Sequence, residues 1–189
     1  NAQGSTLPLV IIGGQGADTI HGGSGGDIVI ADRGRVLWFT PGTIPVTGLG
    51  GSALTAAQLA ALEVAAVAVS GHGGLGDTTD GVEGRLVGLV ITVDPTIGGA
   101  DTVSTGLGDD IVLGGAGGDT ITTNRGENGT ADRTGIVLGD HGFVDWVLLD
   151  GDPSDLDRIW STDRALGGAD TITTGNGDDV VIGGTGGDT

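Results

Sequence analysis

The sequence predicts an all-β protein, a parallel β-roll or β-helix solenoid built from stacked glycine-rich turns and carrying one helix-containing insertion. Three observations predict it. A nine-residue unit recurs in tandem, with glycine, aspartate and an apolar β-branched residue at fixed positions. The chain of 189 residues holds 42 glycines but only 3% aromatics, so its core must come from Val, Ile, Leu and Ala. The β-branched residues keep a constant phase with glycine and aspartate, which separates this composition from the disorder that glycine and acidity alone suggest.

The first block, residues 1–42, contains GGQGADTIH and GGSGGDIVI over residues 13–30. Each unit is a six-residue turn closed by Asp, followed by three strand residues. Only the middle strand residue needs to be apolar, because one side chain in three points inward. Two units make one full turn of the coil, so like turns stack every 18 residues and each strand pairs with the one 18 residues on, giving two parallel sheets. The first block opens with a strand at Leu9 to Ile12 that Pro8, not Asp, precedes. Asp18 and Asp27 are therefore expected to lack a full partner turn within this chain.

Residues 43–94 break the period and read as an insertion. Thr55-Ala-Ala-Gln58 is a capping box, with Leu54 and Leu59 at its staple positions. A helix from about Ala56 to Glu63 follows, then strands at Val64 to Val69 and at Leu86 to Val93.

The second block, residues 95–145, holds TIGGADTVS, TGLGDDIVL and GGAGGDTIT over residues 96–122. A short insertion occupies residues 129–135. An acidic loop follows at 146–164. The third block, residues 165–189, repeats the pattern as ALGGADTIT, TGNGDDVVI and GGTGGDT. GGADT begins at Gly98 and again 69 residues later at Gly167. The segment 136–144, IVLGDHGFV, matches 28–36, IVIADRGRV, in residue type, with Asp140 and Asp32 in the equivalent turn.

The inward positions are Ile20, Val29, Val103, Val112, Ile121, Ile172 and Val181, all β-branched. The turn-closing residues are Asp18, Asp27, Asp101, Asp110, Asp119, Asp170, Asp179 and Asp188. Glycines ahead of each Asp supply positive φ and bring backbone carbonyls together.

Charge restricts partners. Twenty-five acidic residues against seven basic ones give a formal net charge of −18. Such a chain repels nucleic-acid phosphates and anionic membranes, and its natural counterions are cations. Self-repulsion is expected to keep the ion-free chain expanded. No apolar run is long enough for a membrane helix. There is no cysteine, which excludes disulfides and thiolate sites. There is no methionine either, so a processed chain or a piece of a longer one is expected. The last unit stops in mid-array, with Asp179 looking beyond Thr189 for its next turn.

The enzyme-like motifs do not hold in context. Gly22-Gly23-Ser24-Gly25-Gly26 fits a nucleophile elbow, yet Ser24 fills a variable slot that Gln15, Leu107, Ala116, Asn176 and Thr185 fill in sibling turns. Gly71 to Gly76 fits G-x-G-x-x-G, but a turn sequence follows it, not a helix. Asp150-Gly-Asp152-Pro-Ser154 starts like an EF-hand loop but has Asp155 where glycine belongs. His21, His72 and His141 are isolated, and without lysine no Walker A loop exists. Asn128-Gly-Thr130 fits a glycosylation acceptor that arises often by chance. Trp38, Trp146 and Trp160 are expected to cover coil edges. No catalytic constellation is present, and no enzyme activity is expected.

GGQGADTIH, GGSGGDIVI and GGAGGDTIT fit G-G-x-G-x-D-x-U-x, U being apolar, at every fixed position, and TGLGDDIVL and TGNGDDVVI depart only by Thr for the first Gly. The pattern resembles the repeats-in-toxin (RTX) family of calcium-binding β-rolls. The resemblance implies several calcium ions, each between two stacked turns and held by turn-closing carboxylates and turn carbonyls. Calcium takes six to eight hard oxygen ligands in flexible geometry, which suits such turns. Carried over, Asp101 pairs with Asp119, Asp170 with Asp188, and Asp110 with Asn128, where loss of charge implies a weaker site. Asp109 and Asp178 add neighbouring carboxylates. The contributing glycines are Gly14, Gly16, Gly23 and Gly25 in the first block. In the second they are Gly99, Gly106, Gly108, Gly115 and Gly117, and in the third Gly168, Gly175, Gly177, Gly184 and Gly186.

The expected function is a calcium-stabilised, adhesin-like spacer of a large secreted or cell-surface bacterial protein exported by a type I route. Two alternatives are a calcium-dependent filament or surface-layer subunit whose copies stack end to end, and a non-catalytic secretion roll attached to an enzyme.

Overall fold

A computed structural model describes residues 1–39, 55–67, 86–127, 134–152 and 154–189. In chain order the elements are β1 (Val10–Ile12), β2 (Thr19–His21), β3 (Ile28–Ile30), β4 (Gly34–Phe39), α1 (Ala56–Val67), β5 (Leu86–Thr92), β6 (Thr102–Ser104), β7 (Ile111–Leu113), β8 (Thr120–Thr122), β9 (Ile136–Leu138), β10 (Gly142–Asp145), β11 (Arg158–Ser161), β12 (Thr171–Thr173) and β13 (Val180–Ile182). Strands dominate, α1 is the one helix among the described residues, and no sheet closes into a barrel. The chain forms two compact units.

The first unit comprises residues 1–34, 92–142 and 161–189, so it contains all the nonapeptides. Its strands alternate along the chain between two sheets. One sheet has the order β1-β3-β7-β9-β13 and the other β12-β8-β6-β2. All the described pairs in both are parallel. Register keeps like positions together: Val29 faces Val112, Val112 faces Val137, and Val103 faces Ile121. These middle residues form the core of the unit, with Ile20, Val29, Val103, Val112, Ile121 and Val137 all buried and Ile11 and Ile172 packed against them. The flanking positions differ between sheets. They are Thr, Ser or His in the four-stranded sheet but Val, Ile or Leu in the five-stranded one. In the five-stranded sheet Ile28, Ile30, Leu113, Ile136 and Leu138 are buried as well.

The register corrects one expectation. Asp18 and Asp27 do have partner turns, because β2 pairs with β6 and β3 with β7, across the whole insertion. The 18-residue rule holds only inside a block. Where the chain loops out, the stack resumes after a longer excursion, since what fixes register is the apolar row and not chain distance. The three blocks therefore contribute to one pair of sheets. The N-terminal residues extend the stack, with Ser24 N–H donating to Ser5 O at 2.8 Å and Ala2 N–H to His21 O at 2.8 Å.

The second unit comprises residues 35–91 and 143–160. It is built on the sheet β11-β10-β5-β4, in which β10 and β5 are antiparallel. Its core joins Leu37, Phe39, Leu62, Leu89, Ile91, Phe143, Val147 and Leu148. Trp146 and Trp160 pack against this cluster, so they belong to the core of this unit. The capping box forms: Thr55 Oγ1 accepts Gln58 N–H at 3.2 Å, and Gln58 Oε1 accepts Thr55 N–H at 2.9 Å. The helix runs on to Val67, which corrects the strand expected at Val64 to Val69. Alanines interleave the valines there, and alanine's high propensity carries the turn forward; residues 68 and 69 lie outside the described residues. The acidic stretch is not wholly solvated loop either, because β11 arises within it. Asp145, fully buried, accepts Arg158 Nη2 at 2.9 Å and Nε at 3.1 Å, and that pair anchors β11.

Candidate functional site

Each nonapeptide turn ends on an aspartate that enters a strand of the first unit, and stacking the strands stacks the aspartates. Along one side, Asp18 N–H donates to Asp101 Oδ1 at 2.7 Å, Asp101 N–H to Asp119 Oδ1 at 2.8 Å, Asp119 N–H to Asp170 Oδ1 at 2.8 Å, and Asp170 N–H to Asp188 Oδ1 at 3.1 Å. Five aspartates thus make one continuous ladder. Chain separations along it are 83, 18, 51 and 18 residues. The expected pairs Asp101 with Asp119 and Asp170 with Asp188 lie within it, and so do Asp18 with Asp101 and Asp119 with Asp170.

The other side carries a shorter ladder. Asp27 N–H donates to Asp110 Oδ1 at 2.7 Å, and Leu9 N–H, in the place of a missing aspartate, donates to Asp27 Oδ1 at 3.0 Å. Asn128, the expected partner of Asp110, lies outside the described residues. Because Ile111 pairs with Ile136, the residue in strand register with Asp110 is Gly135, whose N–H donates to Asp179 Oδ1 at 2.9 Å. Asp179 is therefore engaged inside the stack.

Asp101, Asp119, Asp170 and Asp188 each spend one oxygen on the amide of the neighbouring turn, whereas Asp27 spends both, on Leu9 N–H and on Gly23 N–H at 2.7 Å. The second oxygen is the chemically informative one. Oδ2 of Asp18, Asp101, Asp119 and Asp170 is buried and accepts no hydrogen bond from the described residues. A buried carboxylate oxygen without a donor is costly unless a cation meets it. Burial pushes the Asp119 carboxyl up to about 8, and the charges of Asp101, Asp170 and Asp32 push the same way. Burial likewise lifts Asp170 to about 6, helped by Asp140 and Asp188, and raises Asp101 and Asp27. Asp109, Asp178 and Asp188 are exposed.

Turn glycines bring the backbone of successive turns close together. A Cβ at Gly168 would overlap the carbonyl oxygen of Gly117, and one at Gly186 that of Gly168; at Gly106 it would overlap that of Gly23. Only glycine lets successive turns approach so closely. Gly117 (φ 104°) and Gly186 (φ 135°) also hold left-handed backbone. Among the described residues no three His, Asp or Glu side chains converge on one point. A cation here would lie between two turns, with two carboxylates at most and carbonyls for the remainder, which is calcium's kind of donor set. The donors present fit that ion.

Two further aspartates acquire a role the sequence did not disclose. Asp32 Oδ1 accepts Gly99 N–H at 3.1 Å and its Oδ2 accepts Ala116 N–H. Asp140 Oδ1 accepts Gly168 N–H at 2.9 Å and its Oδ2 accepts Thr185 N–H. The likeness of 28–36 to 136–144 was the available sign. Of the other motifs, Ser24 is an exposed turn residue whose hydroxyl donates to Ser5 O at 3.3 Å. Asp150 and Asp152 accept the amides of Asp152 and Ser154 in local turns. The G-x-G-x-x-G segment and His72 lie outside the described residues.

A family model, the RTX calcium-binding nonapeptide repeat, matches in four copies spread over residues 10–35, 96–129 and 164–189. No curated protein and no solved structure matches the chain significantly.

Proposed function

We propose that the chain is a calcium-binding structural segment, its nonapeptides matching the RTX calcium-binding repeat, and that its two parallel sheets wind as a β-roll. The observation that carries the reading is the row of buried Oδ2 atoms on Asp18, Asp101, Asp119 and Asp170, which no donor among the described residues meets. Calcium between successive turns would meet them, together with carbonyls of the turn glycines. The candidate ligands are Asp18, Asp101, Asp119, Asp170 and Asp188 on the long ladder, and Asp110 and Asp179 on the short one, where Asp27 already meets N–H donors on both oxygens. Coordination neutralises like charges that the fold forces together, so calcium binding and folding are coupled.

We place the segment in a secreted or cell-surface bacterial protein, as a non-catalytic, adhesin-like spacer. Calcium is millimolar outside cells, where turns of modest affinity fill. The absence of cysteine suits that export, and no helix among the described residues is long and apolar enough to cross a membrane. A second reading, assembly between copies, has one specific support. Val181 sits in the inward row yet is 46% exposed, where Val112 and Val137 are fully buried. Light scattering with calcium and with chelator separates the two, since a spacer stays monomeric.

Circular dichroism across a calcium titration, with calorimetry for stoichiometry, tests the main reading. The β signal is expected to grow with calcium and collapse on chelation. Equal spectra with and without the ion would overturn it.

A further inference from the structure

We propose that Asp32 and Asp140 are positioning residues that clamp shut the two interrupted turns of the roll and so hold the calcium sites of Asp101 with Asp119 and of Asp170 with Asp188. The proposal rests on the calcium reading above. In an ordinary turn the six residues are covalently continuous, so backbone geometry alone keeps the carbonyls and the closing aspartate in place. At two corners this continuity is broken. The chain leaves the first unit after Gly34 and re-enters at Thr92, then leaves after Gly142 and re-enters at Ser161. The re-entering segments carry Gly99 with Asp101, and Gly168 with Asp170. Nothing covalent and local ties either segment to the strand the chain left.

Backbone bonds from Val93 N–H to Arg33 O and from Thr162 N–H to His141 O join the flanks, and the carboxylates tie the turns themselves. Asp32 takes Gly99 N–H of the returning segment on one oxygen and Ala116 N–H of the next turn on the other. Asp140 repeats this with Gly168 N–H and Thr185 N–H. Each clamp bridges the two turns whose closing aspartates bond to each other, Asp101 to Asp119 and Asp170 to Asp188. Asp32 and Asp140 both follow a strand by two residues, the place that Gly14, Gly115 and Gly184 occupy in uninterrupted turns. Space is left for them, because a Cβ at Gly98 or Gly115 would collide with the Asp32 carboxylate, and one at Gly167 or Gly184 with that of Asp140.

Chemistry separates the clamp from the ligands. Both oxygens of each clamp residue face N–H donors, a small anion nest that attracts a carboxylate and repels a cation. The oxygens left for a cation are those of the ladder aspartates. An Asn at either position keeps one acceptor and loses the second, and Ala loses both. Without the clamp, closing the returning segment onto the stack costs loop entropy that binding must overcome.

The test uses the full chain with Asp32→Ala, Asp140→Ala, Asp32→Asn and, as the ligand control, Asp119→Ala. Calorimetry reads calcium affinity and stoichiometry, and NMR hydrogen exchange reads single amides. Asp32→Ala is expected to weaken part of the calcium binding by about tenfold or more with the number of ions at saturation unchanged. Gly99 and Ala116 amides should lose protection while Gly168 and Thr185 keep theirs, and Asp140→Ala should do the reverse. Asp32→Asn should fall between, which keeps the test decisive if Ala unfolds the roll. Asp119→Ala should instead lose an ion. Unchanged affinity in Asp32→Ala overturns the clamp, and so does a lost ion, which would make Asp32 a ligand. If the unaltered chain binds no calcium, the function fails, while the amide protection still reads the clamp separately.

Discussion

Asp119 concentrates the chemistry of the site in one carboxyl group. It is buried, accepts the Asp101 amide, donates its own amide to Asp170, and leaves Oδ2 without a donor among the described residues. Burial and the neighbouring charges of Asp101, Asp170 and Asp32 lift it to about 8, and burial lifts Asp170 and Asp32 to about 6. The sign for stability follows. A carboxyl raised in the fold above its unfolded value stabilises the ion-free fold fully below about pH 4 and stops doing so as pH rises through its folded value. The calcium-free protein is therefore expected to melt at lower temperature as pH climbs from 5 to 8. Calcium needs the deprotonated form, so its affinity is expected to rise over the same window. Asp119→Asn should flatten the calcium-free curve, making the variant the more stable protein at pH 8 without calcium, while its calcium affinity drops by about tenfold or more. Melting curves at several pH values, with chelator and with calcium, check both directions; a calcium-free stability that rises toward pH 8 would contradict the assignment. The candidate role of Asp119 was legible because its position in a nine-residue period is fixed. Its bond to Asp170, 51 residues away, was not, because an insertion erases the relation between chain distance and stacking.

At the scale of elements, three-residue strands depend on their one inward side chain. Ile121 is fully buried in β8, between Val103 of β6 and Ile172 of β12. Ile121→Ala leaves a cavity in a stack that cannot collapse around it without shifting both sheets. It is expected to cost about 2–5 kcal/mol. Val181→Ala, at the same strand position in β13 but 46% exposed, should cost under about 1 kcal/mol. Urea unfolding in saturating calcium compares them, and equal costs would mean that the inward row is not the core. This row was readable from sequence since alternation in a strand has no freedom of phase. The capping box at Thr55 and Gln58 was readable as well, for its two hydrogen bonds are local. The helix beyond Glu63 was not, because valine propensity favours strand and only the flanking alanines tip the balance. Nor was β11, whose anchor, Arg158 on buried Asp145, joins residues that composition alone marks as solvated loop.

At the scale of the whole molecule, the net charge of −18 is not shared evenly in its consequences. In the first unit carboxylates are stacked on one another, and the fold asks for cations to balance them. The second unit settles its buried charge internally: Asp145 meets Arg158, which also lies 5.5 Å from the Phe143 ring centre. Its core holds two phenylalanines and two partly buried tryptophans, larger side chains than any in the nonapeptide core. The two units should therefore respond differently to calcium. All three tryptophans, Trp38, Trp146 and Trp160, belong to the second unit, so their fluorescence reports on it alone. The segments that build it are joined through residues 92–142, and loosening that connection adds little closure entropy, which grows only logarithmically with loop length. On chelation, the β signal in circular dichroism is expected to fall while tryptophan emission keeps its folded position, and urea should then shift the emission in a separate, calcium-insensitive transition. If emission moves to the red in step with the loss of β signal, the second unit has no stability of its own, and the calcium ladder holds up the entire chain.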